Sequence, residues 1–297
     1  MPSTRTRPRR AAIIGTALVL LLAVACYLIY RSFQQVSPPP VALLPGCQAG
    51  TGPQAVSLDI DQAGIAATIA GVAARRKLPT RAVTIAYAAA LQESQLQNLD
   101  FGDRDSVGVF QQRPSQGWGT TLEIENPVYA TTRFFAALVH VHDYTRMPVA
   151  KAVQDVQHSA DGAAYGQWTA MAAELAGYFT GSSPHGVSCW YPPPRKANLA
   201  GAVRGLTQTF GPVGRRAVVA RITTVRSASV KDGSVAVRPA ERTSAWMVAS
   251  WLVANAQAYG ISEVRYAGYE WKATDGIMGW QRDSTKQDPS PGLVVAG

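Results

Sequence analysis

A transmembrane helix, an all-α domain and a small α+β domain, in that order, form the architecture this 297-residue sequence predicts, and three observations predict it. Residues 11–30 contain no charged side chain. Residues 60–179 place apolar side chains at helical spacing. After PPPR at 192–195 the pattern changes to short β-rich runs. A composition of 47% hydrophobic and 16% charged residues supplies material for a core and excludes wholesale disorder. Three Cys with no two close together exclude a Cys-rich zinc module or a dense disulfide scaffold.

Residues 1–10 carry Arg5, Arg7, Arg9 and Arg10 and no acid. The twenty residues 11–30 would span roughly 30 Å as a helix, the thickness of a bilayer's hydrocarbon core. Arg31 ends the run, so the positive-inside rule predicts a cell-membrane protein with a cytoplasmic N-terminus and an extracellular bulk. A cleaved signal peptide and a lipoprotein at Cys26 are the competing readings. Residues 31–54 read as a Pro-rich linker that contains Cys47. The other Cys beyond the span is Cys189, and an exported compartment permits disulfides, so a Cys47–Cys189 bond is predicted, with two free thiols as the alternative.

Within the domain expected at 55–190, Asp59 or Asp61 can cap a helix carrying Ile65, Ile69 and Val72. The segment from Arg81 to Ser94 is apolar on nearly every face, which predicts a helix at the domain centre. Asn126-Pro127 opens a further helix as N-cap and N1, and Pro148 opens the next. The last helix places Tyr165, Trp168, Ala172, Leu175 and Phe179 on one face. In the unit expected at 195–290, residues 217–225 and 234–239 read as strands. Thr243 or Ser244 can cap a helix that stops at Gly260, and two more strands flank Gly268.

The chemistry concentrates at 91–119. Glu93 ends an Ala-rich helix with Ala89 and Ala90 one turn back. A carboxyl group against apolar surface holds its proton to higher pH, which suits it to protonate a glycosidic oxygen. Glu93-Ser94 is followed at fifteen residues by Gly108-Val109-Phe110-Gln111. An apolar helix ending in Glu-Ser, with Gly-aliphatic-aromatic-Gln at that distance and an Asn-Pro helix start beyond, resembles the lytic transglycosylase and goose-type lysozyme superfamily, here in a membrane-anchored, Gram-positive form, over roughly residues 57–180.

That resemblance implies a lysozyme-like all-α fold and cleavage of peptidoglycan glycan strands. It implies Glu93 as sole catalytic acid and base, Ser94 as its support, and Gly108, Gln111 and Gln112 lining the sugar cleft. One carboxylate suffices where the sugar's own 6-hydroxyl is the nucleophile. Asp100, Asp103 and Asp105 could supply a second carboxylate but are expected to pair with Arg104 and Arg113 or to cap the loop. The superfamily's Ala-Tyr-Asn-Ala-Gly segment is missing, and Gln157 or Tyr165 is the candidate substitute. Trp118, between two glycines, can be a sugar platform or a packing residue, while Phe110 is expected in the core. An alternative function is a non-catalytic peptidoglycan-binding or scaffold protein on the same fold.

No cofactor is implied. His140 and His142 lie two apart without neighbouring Cys, so no metal site is expected. The net charge of +9 divides into +4 at 1–10, −2 at 11–194 and +7 at 195–297. The stretch that holds Glu93 is therefore mildly acidic, which argues against a nucleic-acid partner. The basic C-terminal part could attach to anionic wall polymers. Its segment 251–271 resembles a domain of secreted wall-associated proteins of high-GC Gram-positive bacteria, a likeness that carries no activity.

Overall fold

The computed structural model describes residues 22–27, 44–159, 162–192, 196–214, 217–225, 234–283 and 293–297. The chain divides into two units, 1–43 and 44–297. Of the first, the described part is an exposed helical stretch, Leu22–Tyr27. Residues 1–21 and 28–43, which hold the expected basic tail and most of the expected span and linker, lie outside the described residues. Among the described residues no helix is long and apolar enough to cross a membrane. That corrects the expected transmembrane helix and the cell-membrane placement drawn from it. Apolar length was its main basis, and length alone does not require a lipid-spanning helix.

The second unit begins with strand β1 (Gly46–Ala49) and strand β2 (Val56–Leu58). Helix α1 (Ile60–Arg75) follows, closed at its N-terminus by a capping box in which Asp59 accepts from the Gln62 N–H and Gln62 answers the Asp59 N–H. Helix α2 (Thr80–Ser94) buries eleven of its fifteen residues and lies at the centre, as its all-round apolarity predicts. Tyr87 donates from its buried phenol to the Ala66 carbonyl at 2.7 Å and so ties α2 to α1. Helix α3 (Pro127–Leu138) starts with Asn126 as N-cap and Pro127 inside, as predicted. Helix α4 (Val149–Gln157), a 3₁₀ turn (Gly162–Trp168) and helix α5 (Thr169–Phe179) complete the layer around α2.

Strand β3 (Val187–Trp190) returns to β1, giving an antiparallel sheet of order β2-β1-β3. Cys47 and Cys189 stand opposite each other in its register and form a disulfide. The expected all-α lysozyme-like domain is therefore corrected to a mixed α/β arrangement. Strands of three and four residues are too short to show an alternating pattern, so β1, β2 and β3 left no periodic trace. One of them, β1, falls in the stretch read as linker.

Of the expected PPPR boundary at 192–195, residues 193–195 lie outside the described residues. Helix α6 (Leu199–Phe210), strands β4 (Val219–Val225) and β5 (Ser234–Pro239), and helix α7 (Arg242–Ala254) come next. Helix α7 begins at Arg242 with Glu241 as N-cap, so neither Thr243 nor Ser244 caps it. Strands β6 (Glu263–Tyr266), β7 (Tyr269–Lys272), β8 (Gln281–Arg282) and β9 (Leu293–Ala296) follow. They build a six-stranded antiparallel sheet of order β4-β5-β9-β6-β7-β8, with Val235, Val237, Val264, Trp271, Leu293 and Val295 buried on it. Helix α7 packs on β5 and β6 and also on α1 and α5. Its apolar residues therefore face both layers, and residues 44–297 form one compact unit. Gly71 lets α1 approach α6, since a Cβ there would lie 2.4 Å from Thr209 Cγ2.

Candidate active site around Glu93

Helix α2 ends one residue after Glu93. Gln95 and Leu96 both adopt left-handed φ, at 56° and 60°, and the Leu96 N–H returns to the Ala90 carbonyl at 3.1 Å. Leu96 is wholly buried, which holds this strained turn in place. Gln62 donates to the Gln95 carbonyl at 2.9 Å, so the cap of α1 also braces the end of α2. Glu93 thus sits in the last turn of a buried helix, where its carboxyl meets both apolar surroundings and the negative end of the helix dipole.

The half-buried Glu93 carboxyl accepts from the Tyr165 hydroxyl at 2.5 Å and from the Gln157 amide at 3.4 Å, both on Oε1. Burial raises its pKa above the ordinary glutamate value, and the two hydrogen bonds pull it part of the way back. Tyr165 is 1% exposed, so its phenol is a fixed donor. Gln157 also donates to the Phe110 carbonyl at 2.8 Å and links the carboxyl to the turn at 108–111. The two residues named as substitutes for the missing motif are the two that hold Glu93.

Ser94 is buried. Its hydroxyl reaches the Val109 carbonyl at 2.7 Å and the Ala90 carbonyl at 3.1 Å. It joins the helix end to the glycine turn and has no face toward a ligand. That turn is closed by the bridge between Val107 and Gln112. Phe110 is a core residue, stacked on Phe134 at 4.5 Å. Gln112 is buried too, with its amide against the Ala130 carbonyl at 3.5 Å, and supports the turn from behind. Gln111, partly exposed, donates to the Phe101 and Gly108 carbonyls at 3.2 Å each.

Gly108 has φ +78°, and a Cβ there would come within 2.8 Å of the Ile124 carbonyl oxygen. Gly108→Ala is accordingly expected to lower stability by about 1–3 kcal/mol, through strain at this φ and displacement of the turn. A thermal melt within 1 °C of wild type would contradict it.

Trp118 is half-buried and lines a cleft of about 470 Å³ with Gln116, Ala137, His140, His158 and Gln157. Gln157 therefore stands between this cleft and Glu93. His140 and His142 are exposed and lie past the end of α3, in turns. Among the described residues no group of three or more His, Cys, Asp or Glu side chains could hold a metal ion. Of the other carboxylates, Asp105 is held by Arg113 at 2.7 Å and by Ser115. The Ser115 N–H, the guanidinium and the Ser115 hydroxyl keep its pKa well below the usual range. Asp103 faces Arg104 at 3.8 Å on the surface, and Asp100 is exposed.

No family model and no curated protein matches this chain. The chemistry is therefore read from the residues. Sequence reasoning missed Gln92, whose amide oxygen accepts from the Trp168 indole at 2.8 Å and the Gln167 amide at 3.1 Å. That pair fixes the segment carrying Tyr165 to the residue before Glu93. Only the run of Gln residues around Glu93 hinted at it.

Proposed function

We propose that Glu93 is the general acid and then the general base in cleavage of the glycan strand of peptidoglycan, on a site resembling that of the lytic transglycosylases. The observation that carries this reading is the half-buried carboxyl with a raised pKa, held on one oxygen by Tyr165 and Gln157. Because Oε1 is engaged, Oε2 is the oxygen that carries and delivers the proton. Glu93 donates it to the glycosidic oxygen as the C1–O bond breaks and positive charge develops at C1. The resulting carboxylate then takes the proton of the sugar's 6-hydroxyl while that oxygen bonds to C1, which closes an anhydro ring and restores the acid. Trp118 and the cleft beside Gln157 provide an aromatic face for a pyranose.

The full chain should clear a peptidoglycan gel and release anhydro-sugar ends, detected by mass analysis of the digest. Binding to peptidoglycan with no released fragments would overturn the reading in favour of a non-catalytic wall-binding protein.

The role given to Tyr165 has its own signature. Its hydrogen bond favours the ionised carboxyl, so Tyr165→Phe leaves the ring packed and lets Glu93 keep its proton to higher pH. The alkaline limb of kcat/KM is expected to move to higher pH, while kcat falls roughly tenfold or more through lost positioning. An unmoved limb would remove Tyr165 from the site.

A further inference from the structure

On the other side of the loop that follows Glu93, a groove runs between α1, residues 97–100, the start of α3, and helices α6 and α7. It consists of two adjoining hollows of about 630 and 700 Å³ that share Thr68, Asn98, Pro127 and Asn255. Its lining includes no Lys, Arg or His, whereas Asp61, Asp100 and Glu125 stand on it. A phosphate polymer or nucleic acid would be repelled there. The rest of its polar lining is mainly amide, with Thr68, Thr209 and Tyr259 adding hydroxyls and Asp59 a carboxylate engaged in the α1 cap. Gln97, Gln208 and Gln257 are exposed on its walls, and among the described residues their amides have no hydrogen-bond partner. Trp251 lines one hollow, stacked on Tyr259 with ring centroids 5.8 Å apart, and its indole N–H is buried without a hydrogen-bond partner.

Carboxylates that accept hydroxyl protons, amides and hydroxyls that both donate and accept, and the partly exposed ring of Tyr259 backed by the buried Trp251, with no cation among them, suit an uncharged, hydroxyl- and amide-bearing chain. We propose that this groove is a second saccharide-binding site, separate from Glu93, that takes a run of uncharged N-acetylated sugars. The class of ligand follows from the groove itself; that it is a stretch of the glycan strand rests on the function proposed above. The groove is joined to the first site by Leu99, whose carbonyl accepts the Gly108 N–H at 2.6 Å, so a ligand on the 97–100 loop bears on the turn beside Glu93.

The test is calorimetric titration of tetra-N-acetylglucosamine into the full chain carrying Glu93→Gln and Trp118→Ala, which silences turnover and the cleft at Gln157. Saturable binding is expected to persist in that protein. Adding Gln97→Ala and Gln208→Ala, both exposed and so harmless to folding, is expected to weaken it about tenfold, the loss of roughly two hydrogen bonds. No binding at millimolar sugar, unchanged affinity in the Gln97/Gln208 variant, or binding of an oligolysine peptide in place of the sugar would each overturn the groove assignment. Failure of the Glu93 reading shows separately, as wild-type protein that binds the sugar through the groove yet releases no anhydro ends.

Discussion

Replacing Glu93 with Gln is expected to cost about 10³-fold or more in glycan cleavage while raising the melting temperature. The first effect follows from the role: one carboxyl serves as both acid and base, and such transfers contribute about 10²–10⁴-fold each. Asp105 is not free to take over, because it is committed to Arg113 and Ser115. The second effect follows from the sign of the pKa shift. Burial raises the folded-state pKa of Glu93, so at pH below the ordinary glutamate value both folded and unfolded states are protonated and nothing is lost. As pH rises through the folded-state value, the carboxyl must ionise in a poorly solvated place, and stability falls. Gln keeps the acceptor for Tyr165 and removes that cost. The Glu93→Gln protein should therefore melt higher than wild type at pH 7, with the two converging below about pH 4. Initial rates on dye-labelled peptidoglycan and melts at the two pH values decide it. A variant with more than a tenth of wild-type activity would end the assignment, and a lower melt at neutral pH would show that Glu93 is held by ionic partners and not by burial.

The parts of the site that were legible in the sequence are those fixed by local pattern. The apolar run from Arg81 announces a buried helix, and the acid at its end announces a desolvated carboxyl; both are observed. Asn126-Pro127 announces a helix start with equal directness. What was not legible depends on contacts distant in sequence. Tyr165 meets Glu93 across 72 positions and Gln157 meets it across 64; neither spacing has a periodic signature, so both were named through the motif resemblance, and their joint hold on one carboxyl oxygen was not foreseen. Ser94 was read as a support of Glu93, and Gln112 was grouped with cleft residues by adjacency to the motif. Both are buried, which agrees with the role given to Ser94 and makes Gln112 a support as well. The same limit explains the sheet of β1, β2 and β3, whose pairing reaches from Gly46 to Trp190.

Replacing Cys47 and Cys189 together with Ala is expected to produce the largest loss of stability of any change considered. The bond joins positions 142 residues apart, and in the chain-entropy account closing a loop of that length removes about 5 kcal/mol of freedom from the unfolded state. Measured losses generally fall below that figure, so about 3–5 kcal/mol is expected, a drop of roughly 10 °C for a unit of this size. The loss falls at a junction. Cys189 lies on β3, which also packs on α7 and on the 3₁₀ turn Gly276–Met278. Trp271 donates to the Cys189 carbonyl at 3.0 Å, and Trp280 to the Val187 carbonyl at 2.9 Å. Ser188 also reaches the Gly276 carbonyl at 2.5 Å. Without the disulfide, strand β3 would keep these bonds, and its tie to β1 would rest on the strand pairing alone. Separation of the β1 end from the rest is therefore expected before global unfolding, visible as early hydrogen exchange at residues 46–58 with little change at 263–272. Cys26, the exposed free thiol, supplies the control: Cys26→Ser should leave both melt and exchange unchanged. A melt of the double variant within 2 °C of wild type would show that β1 and β3 are held by their hydrogen bonds and packing alone, and would reduce the disulfide to a redundant tie.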